Sequence, residues 1–290
     1  MALVYLNGEI VDERDAHISV NDRGFVFADG IYEVIRVFDG EPFELERHLD
    51  RLERSAAAIR LTLNPTADKI GEISQELLTR EGGGEAQIYI QVTRGTAPRG
   101  HAIPSGVTPT TFIAIRPALA PPAEILKSGG AAITVPDDRW ARCDVKAIGL
   151  TSSVLARSKA VDAGAYEAIF VRDGTVTDAA SCNVFAVFGM TLMTAPCTNH
   201  ILWGITREVT LELAREDGID TLEASFRVEQ LREADEIFVT GTSSGIVPIV
   251  TLDGAMVGTG RVGPVTRRLM ELYELRTGGA NALAQAAWAH

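Results

Sequence analysis

Arg142-Cys143-Asp144-Val145-Lys146-Ala147-Ile148-Gly149-Leu150 lies midway along a chain of 290 residues that is poor in lysine. Only Lys69, Lys127, Lys146 and Lys159 occur among its 27 basic residues, so each lysine asks for a reason. Lys69 and Lys159 fall in amphipathic helical patterns, and Lys127 precedes the Gly129-Gly130 turn. Lys146 sits among apolar and small residues, where an ammonium is costly to bury unless its pKa falls or the amine is bonded. A desolvated lysine amine is a ready nucleophile for a carbonyl. Taken alone, the pattern also fits a surface lysine whose stem lies along apolar neighbours.

Two further runs lie downstream, Tyr166-Glu167-Ala168-Ile169 and Thr177-Asp178-Ala179-Ala180-Ser181-Cys182-Asn183-Val184-Phe185. In order and spacing, these runs and the Lys146 segment resemble the class IV aminotransferases that depend on pyridoxal 5′-phosphate (PLP). Within that class they look most like D-amino acid aminotransferases, and the resemblance extends over nearly the whole chain. It implies a two-domain α+β/α/β architecture of fold-type IV, with a small α/β N-terminal domain and a larger barrel-like C-terminal domain. The cofactor is then expected in the cleft between them.

Bulk properties agree with an enzyme of this size. The length favours two domains and leaves room for a substantial core. A net charge of −12 argues against a nucleic-acid partner and favours solubility. Cys143, Cys182 and Cys197 show no metal-ligand spacing, so no metal is expected, and an odd count suits a reducing cytosol. No apolar run is long enough to span a membrane, and the first residues do not read as a signal peptide. The expected location is cytoplasmic.

Turn and period signals divide the chain. Asn7-Gly8 and Asp39-Gly40 predict hairpins, and Leu45, Leu49, Leu52, Ala56 and Ile59 mark one helix face. Ile70, Ile73, Leu77 and Leu78 mark a second helix, stopped by Gly82-Gly83-Gly84; Ala86–Thr93 and Thr110–Ile115 read as strands. Residues 118–122, at the charge-free stretch Pro117-Ala118-Leu119-Ala120-Pro121-Pro122, are the expected linker, with domains at 1–117 and 123–290. Beyond it the reading is a strand near Ala131–Val135, a helix from Ser152 to Ala163 and a hairpin at Asp173-Gly174. Paired strands Asn183–Phe188 and Thr191–Thr194 follow, then a helix from Thr206 to Gly218 and a strand Glu236–Thr240. A hairpin at Asp253-Gly254 and a helix Val262–Leu275 come last, before an alanine-rich tail, Gly278–His290, expected to fray.

The candidate site residues come from both halves. Arg51 could be an ordinary exposed helical arginine. The resemblance, through the His48-to-Leu52 pattern, instead implies that it holds the cofactor phosphate, which a guanidinium fork suits. Gly204-Ile205-Thr206 opens a helix whose free N–H groups and dipole can hold the same phosphate, so Ile205 and Thr206 are cofactor candidates. Gly241-Thr242-Ser243 after a strand can form a second nest, with Thr242 as its candidate. Each is also compatible with a plain cap or turn. Asp178 is expected to pair with the protonated pyridine nitrogen, although it could merely cap the bend before Ser181. The family usually carries glutamate there; aspartate is shorter by one methylene, about 1.5 Å, which points to a weaker contact and easier loss of cofactor. Asp29-Gly30-Ile31-Tyr32-Glu33 and Arg99-Gly100-His101 match the family's carboxylate-binding patterns, so Tyr32, Arg99 and His101 are the candidate substrate residues; a solvated loop is the plainer reading of the last two. In that family the loop reaches a neighbouring subunit, which implies a homodimer.

The implied reaction is ping-pong transamination, in which Lys146 holds PLP and an amino group passes from a D-amino acid to a 2-oxo acid such as pyruvate or 2-oxoglutarate. Branched-chain L-amino acid aminotransferase, (R)-amine transaminase and aminodeoxychorismate lyase share the scaffold. A non-catalytic module binding a phosphate ligand is the rival from another class. The Arg99/His101 pair disfavours the first two rivals, and Tyr32-Glu33 the third.

Overall fold

Asn7 (φ 51°) and Gly8 (φ 110°) both take positive φ and fold β1 (Leu3–Leu6) back onto β2 (Glu9–Asp12). A two-residue turn of this hand matches the twist of its strands, and Asn-Gly tolerates it best. The computed structural model describes residues 2–278 of the chain; apart from Gly278, the tail expected to fray lies outside them.

The chain divides into two compact units, the first holding residues up to Leu119 together with Val145–Leu150. After β2 come α1 (Arg23–Phe27), β3 (Gly30–Phe38), β4 (Glu41–Pro42), α2 (Leu45–Ala58), α3 (Ala67–Arg80), β5 (Ala86–Thr93) and β6 (Thr110–Pro117). The strands form one six-stranded antiparallel sheet in the order β2-β1-β6-β5-β3-β4. Leu52 of α2 and Ile70 and Leu77 of α3 share a buried core with Ile31, Ile35, Ile88, Ile90 and Ile113 of the sheet. Period-two alternation along β3 puts Glu33 on the same face as Ile31 and Ile35, and Glu33 is fully buried.

The second unit comprises Ala120–Asp144 and the described residues from Thr151 onward. Its elements are α4 (Ala123–Ser128), β7 (Gly130–Pro136), α5 (Thr151–Asp162), β8 (Glu167–Arg172), β9 (Thr175–Ala179), β10 (Asn183–Phe188) and β11 (Thr191–Thr194). They continue with α6 (Ile205–Glu216), β12 (Asp220–Glu223), α7 (Val228–Arg232), β13 (Glu236–Gly241), β14 (Gly245–Leu252), β15 (Ala255–Met256) and α8 (Pro264–Arg276). Nine strands make a mixed sheet, ordered β12-β11-β10-β13-β14-β7-β8-β9, with β15 on β14. Parallel pairs β14·β7 and β7·β8 sit beside antiparallel hairpins, and Phe185 stacks on its cross-strand partner Phe238 with ring centroids 4.9 Å apart.

The Lys146 segment, placed by chain position in the C-terminal domain, instead belongs to the first unit. Val145 is buried in the first core, Ala147 bridges to Ile31, and the Tyr32 amide donates to the Lys146 carbonyl at 3.0 Å. Helices α1, α4 and α7 and strand β12 have no counterpart in the sequence reading. The three helices run for only five or six residues, too short to display a 3.6-residue period.

Candidate active site

Three groups of candidate residues form within the first unit. In the first, the segment through Lys146 is pinned on both sides. The Lys146 amide donates to Ser55 Oγ at 3.2 Å, and the Ile148 amide to the Gly30 carbonyl at 3.1 Å. The side chain is half-buried, and Nζ stands 4.3 Å from the centroid of the Tyr32 ring. Tyr32 stacks in turn on Tyr89, at 6.2 Å between centroids. A lysine fixed at its backbone and resting against an aromatic face has its amine presented in one region.

Arg51 heads the second group. It is buried, not the exposed helical arginine of the plainer reading. Its Nε and Nη2 donate to the two oxygens of Glu33 at 2.7 and 2.9 Å, and His48 Nδ1 lies 2.8 Å from Glu33 Oε2. Burial pushes the Glu33 carboxyl up, but the Arg51 charge and the hydrogen bonds from Arg51 and His48 outweigh it and hold the group well below the usual carboxylate range. Burial pushes the His48 imidazole down, which favours its neutral form beside Arg51. Losing the anion from such a pair leaves a buried cation without its counter-charge, so Glu33→Gln is expected to destabilise the protein by about 3–5 kcal/mol. Glu33 is depressed in the folded state, so its contribution is complete above the unfolded carboxylate pKa and drains away as the pH falls below it. Thermal melts from pH 8 down to pH 4 check both points: the gap between wild type and variant should narrow only at the acid end.

Arg99 and His101 make the third group, on the loop joining β5 to β6. Both are exposed, and both stand near Phe27: Arg99 Cζ lies 5.1 Å from the ring centroid, and the His101 ring 5.4 Å away.

The second unit places Asp178 on β9, fully buried. Asn183 Nδ2 donates to its Oδ1 at 2.9 Å, while the Leu202 amide and Arg139 Nη1 donate to Oδ2 at 3.1 and 3.3 Å. Burial raises the Asp178 carboxyl to about 6, with Arg139 only partly opposing it, because that guanidinium also donates to Asp137 at 2.9 Å. Oδ1 carries one donor in these contacts, and a carboxylate oxygen accepts two. A protonated ring nitrogen fits the remaining position.

Near Asp178 in the same unit, Asn183 Nδ2 also donates to the Leu202 carbonyl at 2.8 Å, and a Cβ on Gly204 would fall 2.0 Å from Asn183 Oδ1. Glycine is therefore required where α6 begins. Among the described residues no side chain caps that helix, and Ile205 and Thr206 are buried in its first turn. Buried N–H groups at a helix start suit a phosphate. Thr242 is half-buried in the turn from β13 to β14, where the Ser244 amide donates to the Gly241 carbonyl at 3.2 Å. One residue before that turn, the buried Thr240 hydroxyl has no hydrogen-bond partner among the described residues. The donor set, the uncapped helix and the open carboxylate position all fit pyridoxal phosphate.

Comparison with known proteins decides the family: residues 30–252 match the model of amino-transferase class IV. The chain belongs to the class IV aminotransferases. Among its relatives, the D-alanine aminotransferase of Staphylococcus haemolyticus is 43% identical over 271 residues, 93% of this chain and 96% of that protein. The D-alanine aminotransferase of Bacillus licheniformis is 38% identical over 92% of this chain and 94% of its own. Solved structures of branched-chain amino acid aminotransferases share the fold. The Escherichia coli enzyme gives a TM-score of 0.89 at 31% identity, covering 97% of this chain and 96% of that one. The Thermobaculum terrenum enzyme, solved in its PLP form, gives 0.83 at 28%, covering 95% and 94%.

This aminotransferase contains supporting residues that the sequence reading passed over. Glu33 and His48 had visible signals, a charge on the buried face of an alternating strand and a His48/Arg51 pair one helical turn apart. Asn183 stood in the quoted run without a role of its own, and Arg139 had no signal, because its hydrogen bond to Asp178 joins segments that local periodicity does not relate.

Proposed function

We propose that the protein is a PLP-dependent transaminase that moves an amino group from a D-amino acid to a 2-oxo acid such as pyruvate or 2-oxoglutarate. The observation that carries this reading is Lys146, fixed to β3 through its backbone with its amine at the Tyr32 ring. When bound, pyridoxal phosphate supplies the electron-withdrawing ring that lets a Cα proton leave and carries the amino group between half-reactions. Lys146 Nζ would hold the cofactor covalently, and the same amine is the base placed to move the Cα proton. Asp178 would pair with the protonated ring nitrogen, where Oδ1 has an acceptor position left beside Asn183. The first N–H groups of α6, at Ile205 and Thr206, and the turn at Thr242 would bind phosphate oxygens, and the guanidinium of Arg51 is assigned to the same group. Tyr32, Arg99 and His101 bind the substrate carboxylate.

The working form is a homodimer in the cytoplasm. Ile18, Val20, Phe25 and Ile103 expose apolar surface in the first unit, which a second copy could cover. Cys143 and Cys182 are buried thiols, which suits a reducing compartment.

The test is a donor panel in both enantiomers against pyruvate and 2-oxoglutarate, with PLP added. D-amino acids should bleach the visible band and turn over; L-only turnover would overturn the reading, and a protein that never takes up PLP would leave the non-catalytic module. Arg99→Ala should raise KM for D-amino acids by about 10- to 150-fold, the equivalent of a charge-assisted hydrogen bond of about 1.5–3 kcal/mol. A primary amine, which has no carboxylate, should suffer much less. Equal losses for both donors would show that Arg99 does not bind the carboxylate.

A further inference from the structure

Helix α1 is pinned across the base of the loop that carries Arg99 and His101. Asp22 caps it, buried, with Oδ1 accepting from the Gly24 amide at 2.7 Å. Asp22 Oδ2 accepts from the hydroxyls of Thr93 and Thr110 at 2.9 and 2.7 Å. Those two threonines are the last residue of β5 and the first of β6, the ends that the loop joins. A Cβ on Gly24 would come within 2.3 Å of Thr93 Cγ2, so the helix lies directly against the strand end. Arg23 extends the same support toward the loop tip. Its amide donates to the Gly95 carbonyl at 2.9 Å, its Nε to Asp29 at 2.8 Å, and its Nη1 to the Gly100 carbonyl at 2.6 Å. Gly100 lies between the two candidate carboxylate ligands.

The last residue of this helix is Phe27. Its ring centroid has Arg23 Cζ at 4.9 Å, Arg99 Cζ at 5.1 Å and the His101 ring at 5.4 Å. Two exposed, rotamer-rich side chains on an irregular loop thus share one aromatic neighbour, mounted on an element braced to both strand ends. The negative face of an aromatic ring attracts a guanidinium, and ordering a side chain before binding removes part of the entropy cost of binding.

We propose that Phe27 is a positioning residue: it pre-orders Arg99 and His101 and thereby sets the preference for donors that carry a carboxylate. This rests on the reading of Arg99 and His101 as carboxylate ligands. The role needs the ring and not merely the volume. Leucine keeps apolar bulk but offers no face to a cation, whereas tyrosine keeps the face.

The experiment compares wild type, Phe27→Leu, Phe27→Tyr and Arg99→Ala as PLP-loaded enzymes, with D-alanine and D-alaninamide as donors in single half-reactions. The amide retains the chiral centre and lacks the carboxylate. Phe27→Leu should raise the half-saturation concentration of D-alanine by about three- to tenfold with the limiting rate nearly kept, and shift D-alaninamide much less. Phe27→Tyr should restore the wild-type value. Amide hydrogen exchange should quicken in residues 98–104 of Phe27→Leu and not in Phe27→Tyr. An unchanged D-alanine value, an equal change for both donors, or a tyrosine variant as impaired as leucine would overturn the proposal. If Phe27→Leu does not fold, Phe27→Met supplies an apolar chain without a ring. Should Arg99→Ala leave D-alanine unaffected, the reading of Arg99 fails on its own account. Hydrogen exchange then still decides whether Phe27 orders the loop, and unaltered exchange in Phe27→Leu would overturn that as well.

Discussion

Lys146→Ala is expected to abolish turnover and the visible band of the bound cofactor, whereas Lys159→Ala should change neither. The backbone contacts of residue 146 run through its amide and carbonyl, so alanine preserves them and only the amine is lost. That amine is both the proposed tether of the cofactor and the base for the Cα proton. General acid–base catalysis alone contributes about 10²–10⁴-fold, and losing the covalent route adds to it. Lys159 is exposed on α5 and provides the control. Visible spectra before and after borohydride reduction and dialysis decide the matter. A retained, reduced adduct in Lys146→Ala would mean that another amine holds the cofactor.

The next largest effect is expected at Asp178. Asp178→Asn keeps the shape and removes the charge opposite the ring nitrogen, so the limiting rate should fall by about 10²–10³-fold, as when one preorganised electrostatic partner is deleted. A binding measurement tests the same group without turnover. In the cofactor-free protein the Asp178 carboxyl sits at about 6, so below that pH it is neutral and cannot act as a counter-ion. Pyridoxamine phosphate should therefore bind more tightly as the pH rises through about 6, and Asp178→Asn should reduce that dependence to the part due to the ligand's own phosphate. The sign follows from the raised value. The buried anion costs stability in the empty protein above this pH, and a cationic ring offsets the cost.

Asp178→Glu separates two views of the short side chain. From the sequence, a longer carboxylate looks like an improvement that should slow loss of pyridoxamine phosphate. The structure argues the other way, because Asn183, Leu202 and Arg139 already donate to both oxygens. An extra methylene has to displace at least one of these donors. The expected dissociation rate in the glutamate variant is unchanged or faster, and a slower rate would restore the argument from reach.

Much of this molecule was legible in its residues alone. The hairpin turns at Asn7-Gly8, Asp39-Gly40, Asp173-Gly174 and Asp253-Gly254 all fall where the sequence places them, because positive φ at two adjacent positions is a local demand. Helices α2, α3, α6 and α8 were equally readable, since each displays its buried face at helical spacing. The isolated lysine and the motifs around it sufficed to point to the family. Only the tertiary structure decided what those residues touch. It moved the Lys146 segment to the first unit, buried Arg51 against Glu33, and bound Asp178 to Asn183 and Leu202. It also revealed α1, whose brace to Thr93 and Thr110 ties together residues far apart in the chain. The reason is one of range. Propensity, capping and periodicity act over a few residues and can be read from them, but a buried charge takes whichever partner the packing of distant segments delivers, and that choice belongs to the free energy of the whole core.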